Sequence, residues 1–408
     1  MKIAIVGAGI IGVTTAYELA SDGHEVTVFE QRSAAAEEAS FATAGLLAPY
    51  LLSPWAVPGF GQPLRLMGAQ ATLRMAGGLT LANWAWLRRW RSMARSQSAP
   101  ATAVERLAQY SQTRLQSIAS QHELDFEASD GRLVLLRTEE DRTRLQPALQ
   151  VLRDSGVTLR EIDADVARQI EPGLSPEAPL AGAIHLPDAR AGNCRLFAQL
   201  LRQGIQGGGV QFVFNTRVDR LDSSPTGVVL QGEADLRRFD AVVLCAGMAS
   251  ATLLPALGLP MAAVYGYSVS APLRESTHAP RASVVDAGQQ ISITRLGQRV
   301  RIAGGAELAG ADAEHHTPTL QRLYRTLNDW FPGGVQLSSN LQIWRGARTM
   351  LPDGAPVVGA SGVPGLWINT GHGASGWALA CGSARALADL IAQREPEVSL
   401  DGLGMRRF

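Results

Sequence analysis

Little in the bulk composition of this chain points to a special environment. Only three cysteines occur in 408 residues, Cys194, Cys245 and Cys381; their odd number and wide spacing argue against a disulfide framework or a zinc site and point to a reducing compartment. Each reads as a small packed residue, not a reactive thiol. A charge imbalance is missing as well: 37 basic and 37 acidic side chains cancel, which excludes a global field for nucleic acid or an anionic membrane. No window of about 18 uncharged apolar residues appears, so no transmembrane span is expected. Repeats, low-complexity tracts and metal-ligand spacings are also lacking. Of the seven histidines, only His372 has an informative context, between glycines.

What is present is enough apolar material for a large core, 46% hydrophobic residues against 18% charged, as in an ordinary soluble protein of two or three domains. The opening MKIAIVGAGIIGVTTAYELA imitates a secretory signal. Gly7, Gly9 and Gly12 would break its apolar run as a helix, so the segment is expected to be retained and the protein to be cytoplasmic. It reads instead as strand KIAIV, turn GAGIIG, a helix from Ile10 to Asp22 and a second strand HEVTVFE. In Gly7-x-Gly9-x-x-Gly12 the glycines serve a tight turn, a close backbone approach to a pyrophosphate and close helix–strand packing. The helix start, Ile10 and Ile11, presents free N–H groups to the phosphates, and Glu30 closes the next strand where a carboxylate meets ribose hydroxyls.

That fingerprint does not separate FAD from NAD. Two later features favour FAD: the strand FDAVVLCAG, ending at Cys245, Ala246 and Gly247, and the turn TGHGASGW, where Gly371, Gly373 and Gly376 join a strand to a long helix. A second helix N-terminus there would stabilise negative charge on a reduced flavin. Between these segments come a proline-rich stretch expected as a long ordered loop, Pro49 to Pro63, and helices at Leu79 to Arg95 and Ala101 to His122. A strand from Gly131, a helix at Cys194 to Gln206 and three strands from VQFVFNTRVDRLD to FDAVVLCAG follow. SVVDAGQQISITRLGQRVRIAGGAEL alternates and turns like an antiparallel sheet. The expected fold is α/β: a Rossmann-like FAD-binding domain (1–80, 187–255, 340–408) with an interleaved antiparallel α+β substrate domain (81–186, 256–339).

The motifs VGAGIIGV, EEASFATAG followed by PWAVPG, GNCRLFAQ, FNTRVDRL, YGYSVSAP, ISITRLGQRVRIAGGAELAG, MLPDGAPVVG and NTGHGASGWALACGSARALADL occur in order along nearly the whole chain. Together they resemble the D-amino acid oxidase and glycine oxidase superfamily, and most closely its bacterial D-amino acid dehydrogenases. The resemblance implies noncovalent FAD, with Gly7, Gly9, Ile10, Ile11, Gly12, Glu30, Gln31 and Arg32 on the ADP half. It implies Ser40, Ala44, Gly45 and Leu46 along the pyrophosphate and isoalloxazine, and Val218, Ala246 and Gly247 bordering the adenosine. Gly371, His372, Gly373, Ala374, Ser375 and Gly376 would surround the flavin ring.

At the substrate end, an enzyme that oxidises an amino acid at Cα must hold the carboxylate, and arginine grips it at two points. The superfamily places that arginine in a Gly-Leu-Arg-Pro segment before an Asp-Gly turn; here the segment reads Gly346-Ala347-Arg348-Thr349, keeping only the arginine. Strand alternation puts Trp344, Gly346 and Arg348 on one face and Arg345 on the other. Arg348 is therefore the expected clamp, with a structural ion pair as its alternative, and Arg345 the expected structural residue. Tyr267 is a second carboxylate donor or a packed core tyrosine. His372 is a candidate base or a backbone element beside the flavin. The helix LANWAWLRRWRS (81–92), with Trp86 and Trp90 on one face and Arg88, Arg89 and Arg91 around them, reads either as a peripheral membrane contact or as a helix packed on its own domain.

These readings lead to the expected activity, oxidation of the Cα–N bond of D-amino acids to imino acids by hydride transfer to flavin N5. Water then gives the 2-oxo acid and ammonia, and quinone or oxygen reoxidises the flavin. A D-hydroxyproline or other secondary-amine dehydrogenase, an NAD(P)-dependent reductase and a nonenzymatic flavin-binding protein are the alternatives.

Overall fold

The computed structural model describes residues 1–48, 51–53, 73–76, 80–96 and 100–407. Most of the proline-rich 49–63 stretch lies outside the described residues.

The opening βαβ unit forms as its sequence dictates. Strand Lys2–Val6 pairs in parallel with Glu25–Phe29, and helix Ile10–Ser21 lies between them in sequence. They belong to a six-stranded sheet, ordered 357–360, 366–370, 241–244, 2–6, 25–29 and 210–213. All pairs are parallel except the first. Strand residues Ile3, Ile5, Val26 and Val28 are fully buried against the inward face of helix Ile10–Ser21, chiefly Val13, Ala16 and Leu19, and against helices Cys194–Ile205 and Gly376–Ile391. Burial of each such side chain contributes about 1.5–3 kcal/mol relative to exposure.

Charge fastens the same helix from the outside. Glu18, fully buried, accepts two hydrogen bonds from Arg114 (2.6 and 2.7 Å) and one from Arg385 (2.9 Å). Arg385 also bonds Asp22 and Asp389. Three helices, Ile10–Ser21, Pro100–Gln121 and Gly376–Ile391, are thereby joined. The Pro100–Gln121 helix, assigned from sequence to the substrate domain, packs on the dinucleotide side: Gly382 leaves room for the helix at Leu107 and Ser111.

The second sheet has nine strands, in the order 342–350, 262–272, 299–308, 291–296, 283–286, 129–136, 182–191 and 160–162, with 74–75 added beside 307–308. One of its faces buries Val269, Ile291, Ile293, Val300 and Ile302 against Leu323, Leu327 and Trp330 of helix Thr317–Trp330. Strand Gln342–Met350, placed from sequence with the C-terminal dinucleotide segment, belongs to this sheet, hydrogen-bonded along its length to Ala262–Pro272. VQFVFNTRVDRLD is two strands rather than one: Asn215, in the left-handed region at φ 53, turns the chain between Val210–Val213 and Val218–Ser223.

The tryptophan helix spans Leu81–Ser96. Trp86 and Trp90, each 2% exposed, point inward onto Leu73, Val264, Leu308 and Met350, and Trp86 donates to the Met350 carbonyl at 3.0 Å. That face is core, as in the reading of a helix packed on its own domain; Leu81, Trp84, Arg88, Arg89 and Met93 lie outside.

Candidate active site

A cavity of about 630 Å³ runs from the ends of the parallel strands to one face of the nine-stranded sheet. At its first end the glycine turn is fixed by contact. Gly7, at φ 102, donates to the Phe29 carbonyl and lies so close to Cys245 that a Cβ would stand 2.7 Å from that carbonyl oxygen. A Cβ on Gly12 would fall 1.9 Å from the Gly7 carbonyl. Gly12 therefore serves packing and lies behind the cavity wall, while Gly7, Gly9, Ile10 and Ile11 form it. The Ser40 hydroxyl accepts from the Ile10 N–H at 3.1 Å. Glu30 is held by the N–H groups of Ala8 (2.7 Å) and Arg32 (2.8 Å), and it lines the cavity with Gln31. The Arg32 side chain does not: it is exposed and bonded to Glu38, so of the expected ADP contacts only its backbone takes part in the arrangement.

The middle of the cavity is walled by Ser40, Ala44, Gly45 and Leu46 on one side, by Val218, Ala246 and Gly247 on another, and by Gly371, His372, Gly373, Ala374, Ser375 and Gly376 at the start of the last long helix. Thr294 donates to the Ala44 carbonyl at 2.8 Å and Arg301 to that of Thr43 at 3.1 Å, seating this segment on the second sheet. Asn369, fully buried, donates to Thr15 and leaves its Oδ1 without a partner at the wall. Burial pulls the His372 imidazole down to about 3, and its Nε2 engages Ser383 at 3.2 Å. His372 is thus a wall residue whose imidazole burial keeps neutral and weakly basic near neutral pH.

At the far end, the register across Ala262–Pro272 and Gln342–Met350 sets Arg348 opposite Val264, Gly346 opposite Gly266 and Trp344 opposite Ser268; all but Val264, which packs with Trp86 and Trp90, line the cavity. The Arg348 guanidinium lies directly over Gly266, where a Cβ would come within 2.2 Å of Nη2. Its Nη1 donates to the Gly305 carbonyl at 2.8 Å. No carboxylate pairs with it among the described residues, and burial lowers its pKa to about 10, which leaves it cationic at neutral pH. An enclosed guanidinium without a counter-ion is matched by an anionic ligand group.

Arg345 is turned to the opposite face. Its side chain is only 5% exposed; it stacks on Tyr265 at 3.7 Å, donates to the Gly310 and Ala311 carbonyls and stands 3.8 Å from Glu307. Glu307, buried, also accepts from Arg74 (2.7 Å) and from the Tyr267 hydroxyl (2.6 Å). The Tyr267 ring lines the cavity, yet its proton is committed to Glu307, with burial and that carboxylate raising its pKa. This corrects the expectation of a phenol donating to substrate. Sequence reasoning missed Ser268, Ser292 and Ala303, which also line this end. The available signal was a polar residue at every second position in the apolar strands YSVS and ISIT.

The FAD dependent oxidoreductase family, DAO, matches residues 2–390. The chain belongs to this family. It is 40% identical to a D-amino acid dehydrogenase of Cereibacter sphaeroides, over all of this chain and 95% of the relative. The fold is shared with glycine oxidase from Geobacillus kaustophilus (TM-score 0.75, 21% identity, 100% and 98% of the two chains). It is shared equally with L-proline dehydrogenase from P. horikoshii (TM-score 0.75, 17% identity, 100% and 97%). The cofactor of this oxidoreductase is FAD, and the NAD(P)-only alternative falls. The cavity fits it: a glycine cradle at a helix N-terminus for phosphate and a fixed carboxylate at Glu30 are the groups such a dinucleotide requires.

Proposed function

We propose that this flavoprotein oxidises the Cα–N bond of D-amino acids, giving an imino acid that water converts to a 2-oxo acid and ammonia. The observation that carries the reading is Arg348, a cation without a counter-ion among the described residues at the sheet end of the cavity, held by Gly305 and seated on Gly266. It is the group that takes the substrate carboxylate. FAD, when bound, accepts the Cα hydrogen with its electron pair. The protein's part is positional: the turn at Gly7 to Gly12, Glu30 and Ser40 hold the dinucleotide, the 371–376 turn supports the ring, and Arg348 fixes the substrate against it. With His372 neutral and engaged by Ser383, the reading uses no general base: the amine binds uncharged, and as hydride leaves Cα the nitrogen lone pair forms the C=N bond. The relative's printed activity supports the substrate class.

Quinone is the acceptor this reading favours over oxygen. The outer face of helix Leu81–Ser96, with Leu81, Trp84 and Met93 exposed beside Arg88 and Arg89, suits a peripheral membrane contact where such an acceptor resides. Among the described residues no helix is long and apolar enough to cross a membrane.

Anaerobic mixing of the holoenzyme with a panel of D-, L- and cyclic amino acids tests the reading. Bleaching of the flavin by D-amino acids is expected, faster than by their L-forms or by cyclic imino acids. Absence of bleaching by any D-amino acid refutes it. Rates of reoxidation by air and by a soluble quinone decide the acceptor.

A further inference from the structure

The cavity face of the second sheet is polar although it is enclosed, and its hydroxyls are accounted for one by one. Ser270 accepts from Arg301 at 2.8 Å, Thr294 donates to the Ala44 carbonyl and Ser292 donates to the Ala303 carbonyl at 3.2 Å. Ser268 stands in the same face, between Trp344 on one neighbouring strand and Ala303 on the other. It is 2% exposed, its hydroxyl has no partner among the described residues, and it lines the cavity. A buried hydroxyl left unmatched costs free energy that a ligand group can recover.

Its position relative to the arginine defines what that ligand group is. The Arg348 guanidinium lies over Gly266, two residues before Ser268 on one strand. Same-face neighbours two apart are separated by about 6.6–6.8 Å. Both groups face the same cavity, so a ligand that pairs with both must carry a second hydrogen-bonding group a few ångström from its carboxylate, as an amino acid with a polar group on Cβ does. A purely apolar side chain of equal size would leave the hydroxyl unmatched.

Resting on the reading that Arg348 clamps the substrate carboxylate, we propose that Ser268 is a specificity-determining residue: its hydroxyl pairs with a hydrogen-bonding group on the substrate's Cβ, and the enzyme prefers short hydroxylated D-amino acids to their apolar isosteres.

D-serine and D-2-aminobutyrate differ only in exchanging a hydroxyl for a methyl, so their kcat/KM ratio reads the contact. In the wild-type holoenzyme the ratio is expected at about tenfold or more in favour of D-serine. In Ser268→Ala it should fall to about one or below, with FAD content unchanged. A wild-type ratio at or below one overturns the proposal without need of any variant. So does a ratio that survives in Ser268→Ala, or a Ser268→Ala protein that folds but loses FAD, since the hydroxyl would then serve the cofactor. If D-alanine reduces the flavin while D-serine holds no advantage, this inference fails alone. If no D-amino acid reduces it, the proposed function fails too.

Discussion

Gly266→Ala separates the arginine's place from its presence. A methyl group at Gly266 would stand 2.2 Å from Nη2 and 2.5 Å from Cζ of Arg348, nearer than any non-bonded carbon tolerates, so the guanidinium must move. What moves is the end of a flexible side chain, not backbone, and Gly266 is not among the glycines in the left-handed region. The cost to the fold is therefore at the low end for overpacking a buried position, about 1 kcal/mol. The cost to the substrate is larger. A carboxylate held by two charge-assisted bonds of about 1.5–3 kcal/mol each loses at least one when the fork shifts, a drop of roughly 10- to 150-fold in kcat/KM. The measurements are steady-state kinetics on D-alanine, flavin content by absorbance, and thermal unfolding. Full activity in a flavin-replete Gly266→Ala protein would refute the assignment of Arg348 as carboxylate clamp. Gly346→Ala is the matched control: its methyl meets the Trp344 indole at 2.7 Å, not the guanidinium, so its effect on KM should be clearly smaller.

Gly12→Ala should yield protein depleted of FAD, because its Cβ would fall 1.9 Å from the Gly7 carbonyl, and backbone cannot yield as a side chain can; the ratio of flavin to protein absorbance checks this. Glu18→Ala leaves Arg114 without its carboxylate beside a buried void, while Arg385 keeps Asp22 and Asp389, and urea titration should show a loss of about 2–3 kcal/mol. A loss under about 1 kcal/mol would mean that the three-helix clamp is ornamental. The His372 imidazole has its folded pKa near 3, below its unfolded value near 6.5. Its stabilising contribution is therefore complete above the unfolded value and declines as pH falls from about 6.5 toward 3. Between pH 7 and pH 5 the wild type should lose about 2 kcal/mol more than His372→Gln; equal losses would show that the ring is not held neutral by burial.

The dinucleotide end of the cavity was legible in the sequence because its requirements are local: a strand, three glycines and a helix start occupy adjacent positions. Arg348 and Arg345 were separable for a similar reason, since pleat alternation needs no knowledge of the partner strand. Misreadings arose where partners are distant. Strand Gln342–Met350 looked like part of the C-terminal segment until its pairing with Ala262–Pro272 was seen. Trp86 and Trp90 form an apolar stripe that would suit lipid or core equally well, and only the strands beneath them decide. The Tyr267 hydroxyl was offered to substrate because Glu307, 40 positions away, cannot be recognised as its acceptor from spacing.

The helix Ile10–Ser21 has a consequence for how the protein is made. One end opens from the glycine turn that receives the cofactor, and its last turns carry Glu18, on which two other helices converge. Whatever steadies one end of a rigid rod steadies the other, so cofactor binding and the closure of this helical layer are thermodynamically linked. The folded fraction of newly made chains would then depend on flavin supply: riboflavin-starved cells should accumulate protease-sensitive protein, and added FAD should raise its thermal stability.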